Sequence, residues 1–198
     1  ETAEIDFINP IRCPKMLIEF RVSNFRSLRD EQVLSLVASK DKSLASSHTV
    51  STGVGATPAL LRSAAIYGPN AGGKSNLIKA LQYMQGVVVE SATIAPNQPF
   101  SVQPFRLDAA FAGMPTEFEV TFLIDGVRYQ YGFAMNAERI LSEHLLDVRH
   151  DLLCEESHEL AEYRVHHVPA ILWQPGPHRV WADLGLSLQR RVLLLLLL

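Results

Sequence analysis

The stretch Gly68-Pro69-Asn70-Ala71-Gly72-Gly73-Lys74-Ser75, here named the phosphate loop, decides the fold of this 198-residue chain. It fits the pattern G-x-x-x-x-G-K-[ST], in which a glycine-rich loop between a strand and a helix binds phosphate oxygens through its backbone N–H groups. Lys74 would reach the β- and γ-phosphates, and the Ser75 hydroxyl would ligate Mg²⁺. The sequence therefore predicts a site for a nucleotide and Mg²⁺.

The segments on either side of the phosphate loop follow in the required order. Residues 64–67 (Ala-Ala-Ile-Tyr) are a short apolar run of the kind found in buried strands. Residues 75–89 carry apolar side chains at helical spacing, at Leu77, Ile78, Leu81, Met84 and Val88. A glycine-rich turn without a ligand is the alternative interpretation, and the order strand, loop, helix argues against it.

The chain before the phosphate loop is predicted to begin in strands. Ile18, Phe20 and Val22 alternate with polar residues, which is typical of a half-buried strand, and residues 32–38 supply a second apolar run. Residues 39–58 are rich in Ser, Thr, Gly and Lys and show little periodicity, so they are predicted to form a surface loop.

A β-hairpin is predicted over residues 117–134, where Asp125-Gly126 lies between two alternating runs in the position of a type I′ turn. A two-residue loop pairs apolar or aromatic residues on one face, namely Ile124 with Val127, Phe122 with Tyr129, Val120 with Tyr131, and Phe118 with Phe133. The other face carries Glu119, Thr121, Leu123, Arg128 and Gln130. We therefore expect one face on a core and the other in water.

Composition excludes several classes of protein. Hydrophobic residues make up 47% of the chain, and 18 basic residues stand against 21 acidic ones, which excludes a disordered chain and disfavours a nucleic-acid-coating protein. Cys13 and Cys154 are far apart, as expected in a reducing compartment, and no export signal is visible. We therefore predict a cytoplasmic protein. The terminal run Leu193–Leu198 is shorter than the roughly 20 residues that span a bilayer, and a low-complexity terminus is favoured over the alternative, the first turns of a transmembrane helix, so no membrane partner is expected.

Three regions are expected along the chain. Residues 1–15 precede Met16 and are predicted to be a non-native or disordered extension. Residues 16–146 form the N-terminal part of a domain. From residue 147 to 198 lysine is absent, five of the seven histidines and both tryptophans occur, and periodicity is lost. Our hypothesis is that this atypical tail is translated out of frame.

Asn70 within the loop and the upstream run Asn24-Phe25-Arg26-Ser27-Leu28 together resemble the ABC-type ATPases of the SMC, RecF and OLD kind. Over residues 16–146 the chain resembles more closely the bacterial AAA-family ATP-binding proteins of abortive infection and phage defence. The resemblance implies an α/β P-loop NTPase fold like an ABC-ATPase head, with an N-terminal antiparallel β-lobe and a β-hairpin insertion, here incomplete.

The resemblance also implies ATP and Mg²⁺ as cofactors. By its motif the nucleotide-binding residues are Gly68, Pro69, Asn70, Ala71, Gly72, Gly73, Lys74, Ser75, Asn76 and Arg26, with Ser75 on the metal. Arg26 matches a position that often carries a basic side chain near the nucleotide in these families. A surface residue of a turn is the alternative interpretation for Arg26.

The elements that complete an ATPase of this type are not found. Phe122-Leu123-Ile124-Asp125 has the form of a Walker B strand, but Gly126 stands where glutamate is required, and the hairpin turn explains Asp125 better. There is no Leu-Ser-Gly-Gly signature, and neither Gln98 nor Gln103 is predicted to contact Mg²⁺. The pair His166-His167 lacks metal-site spacing. No catalytic residue is assigned, and nucleotide binding is better supported than hydrolysis.

The expected function is ATP binding in an ATPase whose nucleotide cycle drives self-association and controls an effector protein or DNA in phage defence or DNA repair. Two alternatives stay open. One is a truncated, non-catalytic product, which the tail composition favours. The other is a small-molecule or nucleoside kinase, although such kinases usually open with the phosphate loop rather than with a β-rich stretch.

Overall fold

The computed structural model describes residues 15–55, 57–90, 99–124, 126–148 and 163–167. The predicted extension, apart from Lys15, and most of the predicted tail lie outside these residues. The helices and strands are β1 Met16–Ser23, β2 Gln32–Ser35, α1 Ala45–His48, β3 Thr49–Val54, β4 Thr57–Leu61, α2 Lys74–Glu90, α3 Ala109–Ala112, β5 Thr116–Ile124, β6 Val127–Met135, β7 Ile140–Val148 and β8 Tyr163–His167.

A six-stranded sheet with the order β2-β1-β5-β6-β7-β8 forms the centre of the fold, and every neighbouring pair in it is antiparallel. The β5–β6 hairpin has the predicted register, from Ile124 opposite Val127 to Phe118 opposite Phe133. The alternation of apolar and polar residues fixes this register, because a slip by one residue would turn every core side chain into water.

The apolar face of the sheet packs against α2, which begins and ends close to its predicted bounds. Ala80, Met84 and Val87 are the buried residues of the helix, and they join Phe20 and Phe118 of the sheet in one core. Ile78 was expected on this face, but 43% of it is exposed. It lies about 200° around the helix from Ala80, on the opposite side.

The prediction of a surface loop over residues 39–58 is wrong, because β3 and β4 pair there into a hairpin. Thr52 and Val54 are buried, since threonine and valine favour strands even where the alternation is weak. Val54 and Leu60 pack with Ile18 and Leu123 into a second, smaller core. The polar face of the β5–β6 hairpin therefore meets water only in part.

The predicted strand at residues 64–67 is also wrong, because residues 62–73 form neither helix nor strand. Ala64 and Ala65 are exposed, and Tyr67 is 92% exposed. A central strand needs hydrogen-bonded neighbours on both sides, and no strand of the described ranges pairs with this run. The described fold thus has mixed α/β content with antiparallel sheets. None of its helices is long and apolar enough to cross a membrane.

Candidate functional site

The phosphate loop turns sharply just before α2. Gly68, Ala71 and Gly73 have positive φ angles of 155°, 62° and 83°. At Gly73 a side chain would be strained by this backbone conformation, and it would also be crowded, because a Cβ there would lie 3.2 Å from Cδ2 of Leu28. Both effects favour glycine at this position.

Backbone donors are available where the loop becomes helix. The N–H groups of Asn76 and Leu77 donate to the carbonyl oxygen of Gly73, at 2.9 and 3.1 Å. Those of Gly73, Lys74 and Ser75 make no hydrogen bond to another described residue. Unpaired N–H groups at the start of a helix carry a partial positive charge, so this end of α2 favours an anion.

Lys74 directs its side chain back along the phosphate loop. Its Nζ donates to the carbonyl oxygens of Gly68 and Pro69, at 2.9 and 2.7 Å. Among the described residues, no carboxylate forms an ion pair with it. The ammonium group is thus held by neutral oxygens that an anionic ligand can replace. The neighbouring Ser75 is exposed, so its hydroxyl is accessible.

The run Asn24–Leu28, here named the Asn24 turn, follows β1 directly. Asn24 and Arg26 have φ angles of 51° and 54°, which few residues other than glycine adopt. Asn24 is only 3% exposed, and its Nδ2 donates to the carbonyl oxygens of Phe111, Met114 and Pro115 at 2.9–3.1 Å. Asparagine suits the position because its amide satisfies this cluster of carbonyls while its backbone tolerates the left-handed conformation.

The structure brings the Asn24 turn against the phosphate loop. Nδ2 of Asn76 donates to Oγ of Ser27 at 2.7 Å, and Leu28 packs on Gly73. The guanidinium group of Arg26 lies 5.5 Å from the ring centroid of Phe25. Its Nε is buried and has no hydrogen-bond partner in the described part of the chain. Arg26 therefore belongs to the same region as the loop without bonding to it.

The remaining sequence candidates are not assembled into a site. Asp125 and Gln98 lie outside the described residues. Gln103 contributes its backbone, since its carbonyl oxygen accepts from the N–H of Arg26 at 2.7 Å. His166 and His167 fall in β8, and the described ranges contain no group of three His, Cys, Asp or Glu residues that could hold a metal ion.

Sequence reasoning missed a group of ionisable side chains that interact on the polar face of the sheet. Arg21, Glu119, Gly132 and His144 are aligned on β1, β5, β6 and β7. Nε of Arg21 lies 3.7 Å from Oε1 of Glu119, and Nε2 of His144 lies 3.4 Å from Oε2. The hydrogen bond with His144 lowers the pKa of Glu119. These side chains line an open groove of about 550 Å³.

A second polar pair that the sequence did not indicate lies on the core face. The hydroxyl of Tyr131 donates to Oε1 of Glu143 at 2.7 Å. Burial raises the pKa of Glu143, and burial together with the Glu143 carboxylate raises the pKa of Tyr131 well above its ordinary value. The pairing of β5 with β6 could not reveal this contact, because the position of Glu143 beside Tyr131 depends on the register of β7.

Comparison with protein-family models gives a match that includes the phosphate loop. A family model described as an AAA domain, putative AbiEii toxin of Type IV toxin–antitoxin systems, matches residues 63–161, which is half of the chain. The matched region contains the phosphate loop, α2 and the β5–β6 hairpin. No curated protein and no solved structure matches the chain.

Proposed function

This chain belongs to the AAA-domain family of the AbiEii toxin, and from that membership we propose that it binds ATP with Mg²⁺ at the phosphate loop. The membership confirms the expected AAA-family ATPase related to abortive infection. The family membership also implies the P-loop NTPase fold and a nucleotide-binding, ATPase-type function. The site, the nucleotide and the biological role are our proposals.

The observation that carries the proposal is the set of free donors at the start of α2. The N–H groups of Gly73, Lys74 and Ser75 have no partner in the described ranges, and the ammonium group of Lys74 lies over the same loop. Together they fit a chain of phosphate groups. We assign phosphate contacts to Gly68, Pro69, Asn70, Ala71, Gly72, Gly73, Lys74 and Ser75, a supporting role at the end of the loop to Asn76, and an accessory basic contact to Arg26.

The residues of this chain bind and orient the nucleotide, and the nucleotide supplies the transferable phosphoryl group. On binding, Lys74 would exchange the carbonyl oxygens of Gly68 and Pro69 for phosphate oxygens, and the exposed hydroxyl of Ser75 would ligate Mg²⁺. These roles of Lys74 and Ser75 support binding of the nucleotide, and we assign no residue to the hydrolysis step.

We extend the proposal to the domain around the site. Residues 16–146 would form the N-terminal part of an ABC-ATPase-head-like domain, whose antiparallel sheet packs on the helix that follows the phosphate loop. In this role ATP binding would promote self-association and control an effector protein or DNA in phage defence. The packing of α2 on β1 and β5 supports the proposed domain architecture.

Calorimetric titration of the full chain with Mg²⁺-ATP tests the proposed site. We expect saturable binding that the Lys74→Ala variant weakens at least about tenfold, because hydrogen bonds from a charged group are the strong ones. Lys79→Ala is the matched control, since Lys79 is an exposed lysine of the same helix and should leave the Kd unchanged. Equal affinity of the Lys74→Ala variant and the wild type would refute the assignment.

A further inference from the structure

The Asn24 turn contacts the phosphate loop through two residues, and this contact has a consequence for the proposed nucleotide site. We propose that Ser27 and Asn76 are positioning residues for the phosphate loop: their hydrogen bond holds the first turn of α2 in the orientation that presents its N–H donors. The inference rests on the proposed function, because it assigns how that same site is held in place.

The two contacts lie on either side of Lys74 and Ser75, which would touch phosphate and Mg²⁺. Leu28 packs on Gly73, immediately before Lys74, and Ser27 accepts from Asn76, immediately after Ser75. A rotation of this helical turn would therefore have to break the Ser27–Asn76 bond or move Gly73 into Leu28. The side chain of Leu28 occupies the space beside Gly73 where a Cβ would lie, so it opposes such a shift.

The Asn24 turn is a rigid support for these contacts. Besides the three bonds from its Nδ2, Asn24 accepts from the N–H of Phe105 at 2.9 Å, and its carbonyl oxygen accepts from Oγ1 of Thr116 at 2.8 Å. The N–H of Arg26 donates to Gln103. Two residues in the left-handed region persist in one turn only where surrounding bonds hold them there. The turn is thus fixed before any ligand binds.

The Ser27–Asn76 bond itself adds little to the core. Ser27 is exposed and Asn76 is half-buried, so breaking their bond leaves no polar group stranded away from water. Its effect should therefore appear in ligand binding rather than in folding, because a loop that must be ordered on binding binds more weakly than one already in place.

A double-mutant cycle on Mg²⁺-ATP binding tests the inference, with the full chain in four forms: wild type, Ser27→Ala, Asn76→Ala and the double variant. We expect each single substitution to weaken binding about two- to tenfold, which corresponds to one ordinary hydrogen bond. The double variant should bind Mg²⁺-ATP no more weakly than the single variant of lower affinity, because both substitutions remove the same hydrogen bond. Ser27→Thr keeps a hydroxyl and should restore most of the affinity.

Ser23→Ala is the matched control. Ser23 lies just before the Asn24 turn, and its hydroxyl donates to Glu117 rather than to the phosphate loop, so its loss should not change the Kd. Urea unfolding without nucleotide, run on all variants, checks that they fold with wild-type stability.

The inference is overturned if the wild type binds Mg²⁺-ATP and Ser27→Ala binds equally well, or if the two single effects add in the double variant. Additive effects would mean that Asn76 acts on the nucleotide independently of Ser27. A wrong proposed function would give other results. Either the wild type would not bind Mg²⁺-ATP, or the Lys74→Ala variant would bind it as tightly as the wild type.

Discussion

His144 reaches Glu119 two strands away by laying its ring across the backbone of Gly132, with 3.4 Å between Nε2 and Oε2. The three residues are aligned on adjacent strands, and an ideal Cβ built on Gly132 would lie 2.6 Å from Cε1 of His144. The absence of a side chain on β6 therefore permits the contact between Glu119 on β5 and His144 on β7.

Gly132→Ala should lower the free energy of unfolding by about 1–3 kcal/mol, the usual cost of forcing extra volume into a packed site. The new methyl group would collide with the ring of His144 and would lie 3.0 Å from the carbonyl oxygen of Phe118. Urea unfolding measures the change. Gly113→Ala is the control and should be near neutral, because a Cβ there would meet nothing within 4 Å.

The ring contact can be separated from the backbone contact. In a Gly132→Ala/His144→Ala double variant the ring is gone, so the loss of stability caused by the glycine substitution should shrink. An undiminished loss would mean that the Phe118 carbonyl, and not His144, is the group that requires glycine.

Acid should destabilise the protein partly through Glu119. The His144 hydrogen bond holds the pKa of Glu119 below its ordinary value, so its carboxylate stabilises the native state at pH values above that ordinary value. The contribution disappears as pH falls through the lowered native pKa. In urea unfolding between about pH 6 and pH 3, the wild type should lose more stability than Glu119→Gln. Parallel pH profiles for the two proteins would contradict this.

Glu143 should behave in the opposite way. Burial raises its pKa, so the charged form is less favourable in the native state than in the unfolded chain at neutral pH. Glu143→Gln should therefore unfold at a higher urea concentration near pH 7, since the amide oxygen can still accept from Tyr131. The advantage should vanish as pH falls and the wild-type carboxyl takes up its proton. An unstable glutamine variant at pH 7 would show that the charge itself is needed.

Asn24→Ala should destabilise the fold by about 3 kcal/mol or more, because it removes the side-chain bonds to four backbone groups and places alanine in the left-handed region. The Asn24→Gly variant can adopt the left-handed conformation without strain, but it still lacks the side-chain hydrogen bonds. It should recover only the conformational part, about 1 kcal/mol. Thermal unfolding of the two variants separates the contributions, and equal stabilities would assign the whole effect to the amide.

Local patterns were sufficient to predict the elements that bury one face. The β5–β6 register follows from alternation and a two-residue turn, and α2 follows from apolar spacing after the glycine-rich loop. β1 is equally clear, because Phe20 and Val22 are buried where the pattern placed them. In each case neighbouring residues determine the structure, so no distant part of the chain had to be known.

Features that depend on distant strands could not be predicted in the same way. The hairpin of β3 and β4 is held by packing of Val54 and Leu60 on the sheet, while its own sequence resembles a loop. Residues 64–67 show the opposite. Their sequence is typical of a strand, but without a neighbouring strand to pair with they do not form a strand. The contact between Ser27 and Asn76 spans 49 positions of the chain, which no local pattern encodes.

The bonds of Asn24 also set an order of events during folding. Asn24 is joined to Met114 across 90 positions, so the turn that supports the phosphate loop gains its full set of hydrogen bonds only after the start of β5 has been synthesised. Closing so long a segment has an entropic cost and slows folding. A nascent chain that already contains the complete loop and helix α2 therefore still lacks a rigid support for them. At the proposed site, nucleotide capture by the nascent chain should therefore begin only when residues 114–116 have emerged from the exit tunnel.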